Sequence, residues 1–246
     1  MGTTSIPYLD DLWYYRGMEV SVREAARQLR LSSRRVRALA AAGRIPARRI
    51  DERTWVVDID AARRRPYDRR ASGRPLSPRS CWAILAVAEG REPLGLSASE
   101  RARARARAAV LAEAAPGSLA GRAALHRLTG HRGVLERLAD DGRLVLGGAS
   151  AAQRHGADVI ALEYVEAYVR DDDLGPIVAA YAMQPAIAGA ENTLLRVPAP
   201  GWPFPPEARV APAPVVAADL IDAGDERSVR AGRALLRRIV AEGTSP

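Results

Sequence analysis

The chain has 246 residues, enough for one large or two ordinary domains, and 48% of them are hydrophobic, ample for a core. Aromatic residues make up only 5%, with a single Phe, so Leu, Val and Ala must fill that core. The net charge is +8, every one of the 37 basic residues is arginine, and the lone Cys81 excludes an intrachain disulfide and a cysteine-based zinc site.

An alanine-rich text without lysine also reflects GC-rich coding, so the number of arginines alone carries little weight. Their location carries more. Between Ser21 and Arg70 stand 15 Arg and 6 acids, a net of +9; the remainder nets −1. Codon usage does not segregate charge in this way, so a cationic field is concentrated on one stretch. No run approaches the roughly 20 apolar residues that span a membrane. The N-terminal MGTTSIPYLDDLWYYRG carries acids and no apolar core, so no signal peptide is read there.

Residues 1–20 form a leader whose Tyr8, Leu9, Leu12, Trp13, Tyr14 and Tyr15 make an aromatic patch. The patch packs on its own domain or docks a second surface. The next 45 residues, 21–65, hold the strongest pattern. Val22, Ala25, Ala26 and Leu29 recur at helical spacing. Ser21, with Glu24 three residues on, has the form of a capping box. After a break at Leu31-Ser32, Ser32 caps a second helix with Val36, Leu39 and Ala40 inward, and Leu31 can staple onto Val36. Gly43 ends it. Two short helices and a tight turn with small residues between them are a helix-turn-helix pattern.

The outward face of the second helix is Ser33, Arg34, Arg37 and Ala41, with Arg35 to one side. A helix entering a major groove needs such donors to phosphates and base edges near its N-terminus. Ser32 and Ser33, with the free amides of the first turn, suit a phosphate. Two β-rich runs follow, 47–50 and 54–57, with Asp51-Glu52-Arg53 as the turn. This hairpin reads as a wing whose Arg48, Arg49 and Arg53, with Arg44 before it, hold the DNA backbone or minor groove. Trp55 is read as a core plug of the hairpin, base contact being the alternative. The expected DNA-contacting set is therefore Ser32, Ser33, Arg34, Arg35, Arg37, Arg44, Arg48, Arg49 and Arg53.

SVREAARQLRLSSRRVRALAAAGRIPARRI followed by TWVVD resembles the MerR/excisionase class of winged helix-turn-helix domains. In that class an S-x-x-x-V-R pattern opens the recognition helix and G-R-I-P-A leads into the wing. Here those are Ser32 to Arg37 and Gly43 to Ala47. The resemblance implies binding to double-stranded DNA; with no signal peptide or apolar span read in the sequence, the expected place is the cytoplasm, on the nucleoid. The competing reading is an Arg-rich solvated hairpin or a protein-binding winged helix.

Residues 66–79, Arg-, Pro-, Gly- and Ser-rich, read as a linker. Residues 80–246 are expected to form an α/β domain, helical in its first half and mixed from 143 onward. Ser77 caps a helix at Pro78 that ends at Gly90. Ser99-Glu100 starts another, whose Arg101, Arg103, Arg105 and Arg107 scatter around its axis. These arginines read as a solvated face or a second nucleic-acid stripe. Residues 118–130 and 131–142 read as short helices and 143–146 as a strand. Helix 149–155, strand 163–169, helix 171–181 and strand 192–197 follow. Helices 212–223 and 225–240 close the domain, with Gly224 ending the first and Asp225 capping the second. The fold class expected is α+β: an N-terminal winged helix-turn-helix, a helical segment and an α/β C-terminal domain.

Gly147-Gly148-Ala149-Ser150, after a strand and opening a helix, is similar to the start of a nucleotidyltransferase. That chemistry needs an Asp-x-Asp for magnesium. Glu163 and Glu166, three apart on a strand, face opposite sides, and Asp171 to Asp173 fit a helix N-terminus. His126 and His131 have no third ligand nearby. No catalytic residue, metal or cofactor is expected, and the protein is read as a binding protein.

Over the whole chain, GASAAQRHG, VEAYV and VVAADLIDAGDERSVRAGRALL resemble the AbiEi class of antitoxins of type IV toxin–antitoxin systems. The closest matching residues are 148–156 and 217–236. The resemblance implies an autoregulating transcriptional repressor that accompanies a nucleotidyltransferase-type toxin; a palindromic operator would add a homodimer, for which no heptad seam is visible. The alternatives are a nucleotidyltransferase-like enzyme and an excisionase-like factor that bends DNA.

Overall fold

The computed structural model describes residues 18–29, 31–41, 45–51, 54–59, 62, 76–93, 95–186 and 190–243. The aromatic leader up to residue 17, most of the linker, and Gly43, Arg44, Glu52 and Arg53 lie outside them. The fold is α+β, with nine α-helices and two sheets among the described residues. The chain divides into two compact units, the first drawn mainly from residues up to 65 and the second mainly from those after it.

In the first unit, helix α1 (Val22–Leu29) and helix α2 (Ser33–Ala41) pack together through the small and apolar residues that the periodicity singles out. Val22, Ala25, Ala26, Val36, Leu39 and Ala40 are all buried. The Leu31 amide donates to the Ala26 carbonyl at 2.9 Å and closes the connection. Strands β1 (Glu19–Ser21), β2 (Ala47–Arg49) and β3 (Trp55–Asp58) form an antiparallel sheet in the order β1-β3-β2. β1 is a correction. Residues 19 and 20, read as leader, pair with Asp58 and Val57. A three-residue strand has no periodicity of its own to betray it. Buried Val57, Ile45 and Ile59 complete this core.

In the second unit, helix α3 (Pro78–Ala88) begins as expected. The Ser77 hydroxyl accepts from the Ser80 amide and Pro78 takes the first turn. Helix α4 (Ala98–Ala109) is capped by Ser97, not by Ser99. Ser97 and Glu100 form a reciprocal capping box, which satisfies two first-turn donors that Ser99 would leave open. α4 packs on α3 and buries Ala104 and Ala108, while Arg103, Arg105 and Arg107 stay exposed.

The larger departure is residues 123–129. SLAGRAALHRLTG, expected to be helical, holds strand β4 (Ala123–Thr129), preceded by a 3-10 turn at Ala120–Arg122. Leu119, Ala123, Ala124 and Leu128 happen to recur at helix-like intervals. Pairing with a strand 65 or more residues downstream overrides that local pattern. Helix α5 (Leu135–Ala139), strand β5 (Val145–Leu146) and helix α6 (Gly148–Ala152) follow. Then come strand β6 (Val165–Tyr168), helix α7 (Asp171–Ala180), and strands β7 (Gln184–Pro185) and β8 (Thr193–Pro198). Helices α8 (Ala213–Ala223) and α9 (Glu226–Gly243) close the chain. The Asp225 carboxylate accepts from the Ser228 amide at 2.9 Å, and Gly224, at φ +77°, turns the chain between the two helices.

The five-stranded sheet runs β5-β6-β8-β4-β7. Only β6 and β8 are parallel; the other three pairings are antiparallel. The strand from the half expected to be helical therefore sits inside the sheet. In β6 and β8, Glu166, Tyr168 and Arg196 share one sheet face, and Val165, Ala167 and Leu195 share the other. α6 packs on β6 and α8, α7 on β8, and α8 against α9.

Candidate functional site

The polar face of α2 is built from the cap outward. Ser32 accepts the Arg35 amide on its hydroxyl at 3.2 Å and the Val36 amide on its carbonyl at 3.0 Å. A serine in this position satisfies first-turn donors and sets the helix start. Val36 and Leu39 then face the core, so Arg34, Arg35 and Arg37 face solvent and Ser33 is half-exposed. The three guanidinium groups sit within the first turn and a half of the helix. The apolar residues left exposed beside them are the small Ala38 and Ala41.

On α1, Ser21 accepts from the Glu24 amide at 3.2 Å, one side of the box expected there. The Glu24 carboxylate accepts from Arg27 at 2.7 Å and Gln28 at 2.6 Å. These bonds, Arg27 first, hold its carboxyl below the usual range.

The hairpin separates two of its expected contacts. Arg48 pairs with Val56 and Arg49 with Trp55, so the two side chains leave the sheet on opposite faces. Arg48 lies on the face of Glu19, Ser21, Val56 and Asp58. Its guanidinium grips Glu19 as a fork, Nε to Oε1 at 3.0 Å and Nη2 to Oε2 at 2.7 Å. This bond raises the Arg48 pKa above its ordinary value. Arg49 lies on the other face, that of buried Val57, with its guanidinium 5.4 Å from the Trp55 ring centre. Trp55 is half-buried on the same face as buried Val57, with this cation against its ring. The Asp51 carboxylate accepts from the Thr54 amide at 2.8 Å at the start of the turn.

The second unit holds a charged cluster that the sequence reading missed. Arg122, Glu166, Tyr168, Arg196 and Asp219 are all buried. Arg122 donates to Asp219, to Asp222 at 2.6 Å, to the Leu119 carbonyl at 2.8 Å and to the Tyr168 hydroxyl at 3.2 Å. Tyr168 donates on to Asp219 at 2.7 Å. Arg196 donates to Glu166 and lies 3.3 Å from Asp219. Burial alone would lower the Arg122 pKa, but Tyr168, Asp222 and Asp219 outweigh it and hold the guanidinium charged. Burial pushes the Glu166 carboxyl up against the pull of Arg196. Burial likewise pushes the Tyr168 hydroxyl up. The Cys81 thiol rises to about 11, burial again being the main cause. One signal for the cluster was present in the text: Arg196 is a lone charge inside TLLRVP, and Asp219 and Asp222 are the two charges inside PVVAADLIDA, and charges in such apolar elements must pair when buried.

This cluster also decides what the Gly147-Gly148 turn can hold. The Gly148 amide donates to Asp219 Oδ2 at 3.1 Å and the Ala149 amide to Glu166 Oε2 at 3.1 Å. A Cβ on Gly148, at φ +42°, would lie 2.0 Å from Glu166. The donors that a phosphate would use are filled by the protein's own carboxylates. Glu163, at φ +50°, is exposed and precedes β6, so it stands apart from Glu166.

Among the described residues there is no group of three His, Cys, Asp or Glu placed to share a metal ion, and no helix is long and apolar enough to cross a membrane. In comparisons with known proteins, no family profile, no curated protein and no solved structure matches the chain.

Proposed function

We propose that the first unit is a winged helix-turn-helix that binds double-stranded DNA, and that the chain is a sequence-specific transcriptional regulator and not an enzyme. The observation that carries this reading is the α2 face: a Ser32-capped helix start with Arg34, Arg35 and Arg37 in solvent and Val36, Leu39 and Ala40 packed beneath. Arginine is the commonest reader of guanine, and a helix N-terminus is the part that enters the groove. Two packed helices followed by an antiparallel hairpin support a wing beside them. In this reading Arg34 and Arg37 enter the major groove, Arg35 and Ser33 hold phosphates, and Arg49 is the wing contact. The concentration of positive charge between residues 21 and 70 draws the module to DNA at long range.

The regulator is proposed to be an autoregulating antitoxin that works in the cytoplasm on the nucleoid. Its second unit serves as the partner-binding or regulatory body toward a nucleotidyltransferase-type toxin, and a homodimer reads a palindromic operator. The Gly148 and Ala149 amides, already bonded to Asp219 and Glu166, favour a body that does not itself transfer nucleotides. The test is a gel-shift of the purified chain on its own upstream DNA, across a salt series and against unrelated competitor. Selective retention that steepens at low salt supports the reading. Equal retention of both DNAs, or none, overturns it. Within that assay Arg37→Ala is expected to weaken specific binding by about 1–3 kcal/mol.

A further inference from the structure

The inference concerns how many cations the wing offers to DNA, and it rests on the DNA-binding reading above. We propose that Glu19 is a positioning residue that withholds Arg48 from DNA, so that the wing engages one phosphate fewer than its arginine count suggests.

Three features carry this. First, the bond is a fork in which both carboxylate oxygens are used, at 3.0 and 2.7 Å, and such bidentate pairs fix orientation as well as charge. Second, the strand order places β3 between β1 and β2, so Arg48 reaches across a strand to a residue 29 positions away. A side chain stretched across its own sheet is not extended toward the hairpin tip. Third, the alternation of β2 sends Arg48 and Arg49 to opposite faces, with Arg48 on the face away from buried Val57. A pair of this exposure adds little stability, because solvent screens it and two side chains must be held in one geometry. Its consequence is electrostatic: one cation of the wing is cancelled locally and held in one place. Glu19 thereby sets the affinity of the module below its maximum, which leaves room for release from DNA.

The test is the slope of log affinity against log salt on the upstream fragment. Each phosphate neutralised contributes about 0.9 to that slope. Glu19→Gln keeps the shape of the side chain and removes its charge. It is expected to tighten binding several-fold at low salt and to steepen the slope by about 0.9. Arg48→Ala alone is expected to leave the slope of the wild type, because Arg48 makes no phosphate contact there. The double variant Glu19→Gln/Arg48→Ala is expected to return to the wild-type slope.

A shallower slope in Arg48→Ala shows that Arg48 already touches a phosphate and overturns the proposal. So does an unchanged slope in Glu19→Gln, or a double variant that keeps the whole gain, since the gain would then be loss of repulsion from Glu19 itself. If Glu19→Gln does not fold by circular dichroism, Arg48→Ala decides alone, with Arg37→Ala as the variant that must lose slope. A wild type that retains no DNA fails at the earlier step and sinks the DNA reading along with this one, whereas a binding wild type with any of the other adverse slopes sinks this one only.

Discussion

Arginine stands in two contrasting environments, one illustrated by each unit. In the first, Arg34, Arg35 and Arg37 stand on a helix face with water around them, over a core of Val36, Leu39 and Ala40. In the second, Arg122 and Arg196 lie beneath α8 with every charge answered by Asp219, Asp222 or Glu166. An exposed guanidinium contributes little to folding and remains able to meet a partner. A buried one is committed: its desolvation is recovered only through complete pairing, and losing one partner leaves a bare charge in an apolar interior. In a chain whose basic residues are all arginine, environment separates the guanidinium groups left in solvent from those that hold the fold.

That contrast breaks most visibly at Asp219. Asp219→Ala strips carboxylate from Arg122 and Arg196 together, and the loss expected in a urea titration is about 3–5 kcal/mol. A loss under 1 kcal/mol would mean that the cluster is not closed as described. Arg37→Ala is the mirror test. Its midpoint of unfolding should stay within about 0.5 kcal/mol of the wild type while specific DNA affinity falls, and a large stability loss would place Arg37 in the fold instead of the interface.

Ser32→Ala falls between the two. Removing the cap of α2 should cost about 1 kcal/mol and should also weaken DNA retention, because the first turn frays where the arginines stand. Ser32→Asp, which can still cap, should restore most of the stability but not the affinity.

The smallest effect is a matter of pH. Asp141 accepts from Arg143 at 2.6 and 2.9 Å and from the Tyr181 hydroxyl at 3.1 Å, and the Arg143 bond chiefly holds its carboxyl well below the usual range. A depressed carboxyl stabilises the fold above its ordinary pKa and ceases to as pH falls through the lowered one. Asp141→Asn should therefore cost under about 1 kcal/mol at pH 7. The gap to the wild type should close below pH 4. A gap that stays constant with pH would show that the pair contributes through shape and not charge.

What was legible in the sequence was what is local. α1, α2, α3 and the α8–Gly224–Asp225–α9 corner announce themselves through apolar spacing, a serine or aspartate cap, and a glycine stop, all within one or two turns of chain. The arginine face of α2 follows from the same spacing. β4 did not announce itself, because a strand whose pairing partner starts 65 residues later has only weak local text, and Ala123, Ala124 and Leu128 suit either element. The fork of Arg48 on Glu19 was hidden for a related reason: Glu19 belongs to a three-residue strand that reads as leader. The side-chain pairs of the buried cluster are 23 to 100 positions apart, and no local motif spans such distances.

The placement of β4 inside the sheet has a consequence in time. A ribosome delivers Arg122 and the start of β4 well before anything they need. Pro198, which pairs with Ala123, is 75 positions on, and Asp219, which accepts from Arg122, is 97 positions on. At about 5–20 residues per second, Arg122 waits on the order of 5–20 s in water before its carboxylate exists. The first unit, whose contacts close within some 40 residues, has no such wait. During synthesis the chain thus passes through a stage in which the contacts of residues 19–59 can already be made while β4, an interior strand of the larger sheet, has no neighbours and Asp219, on α8, is still to come.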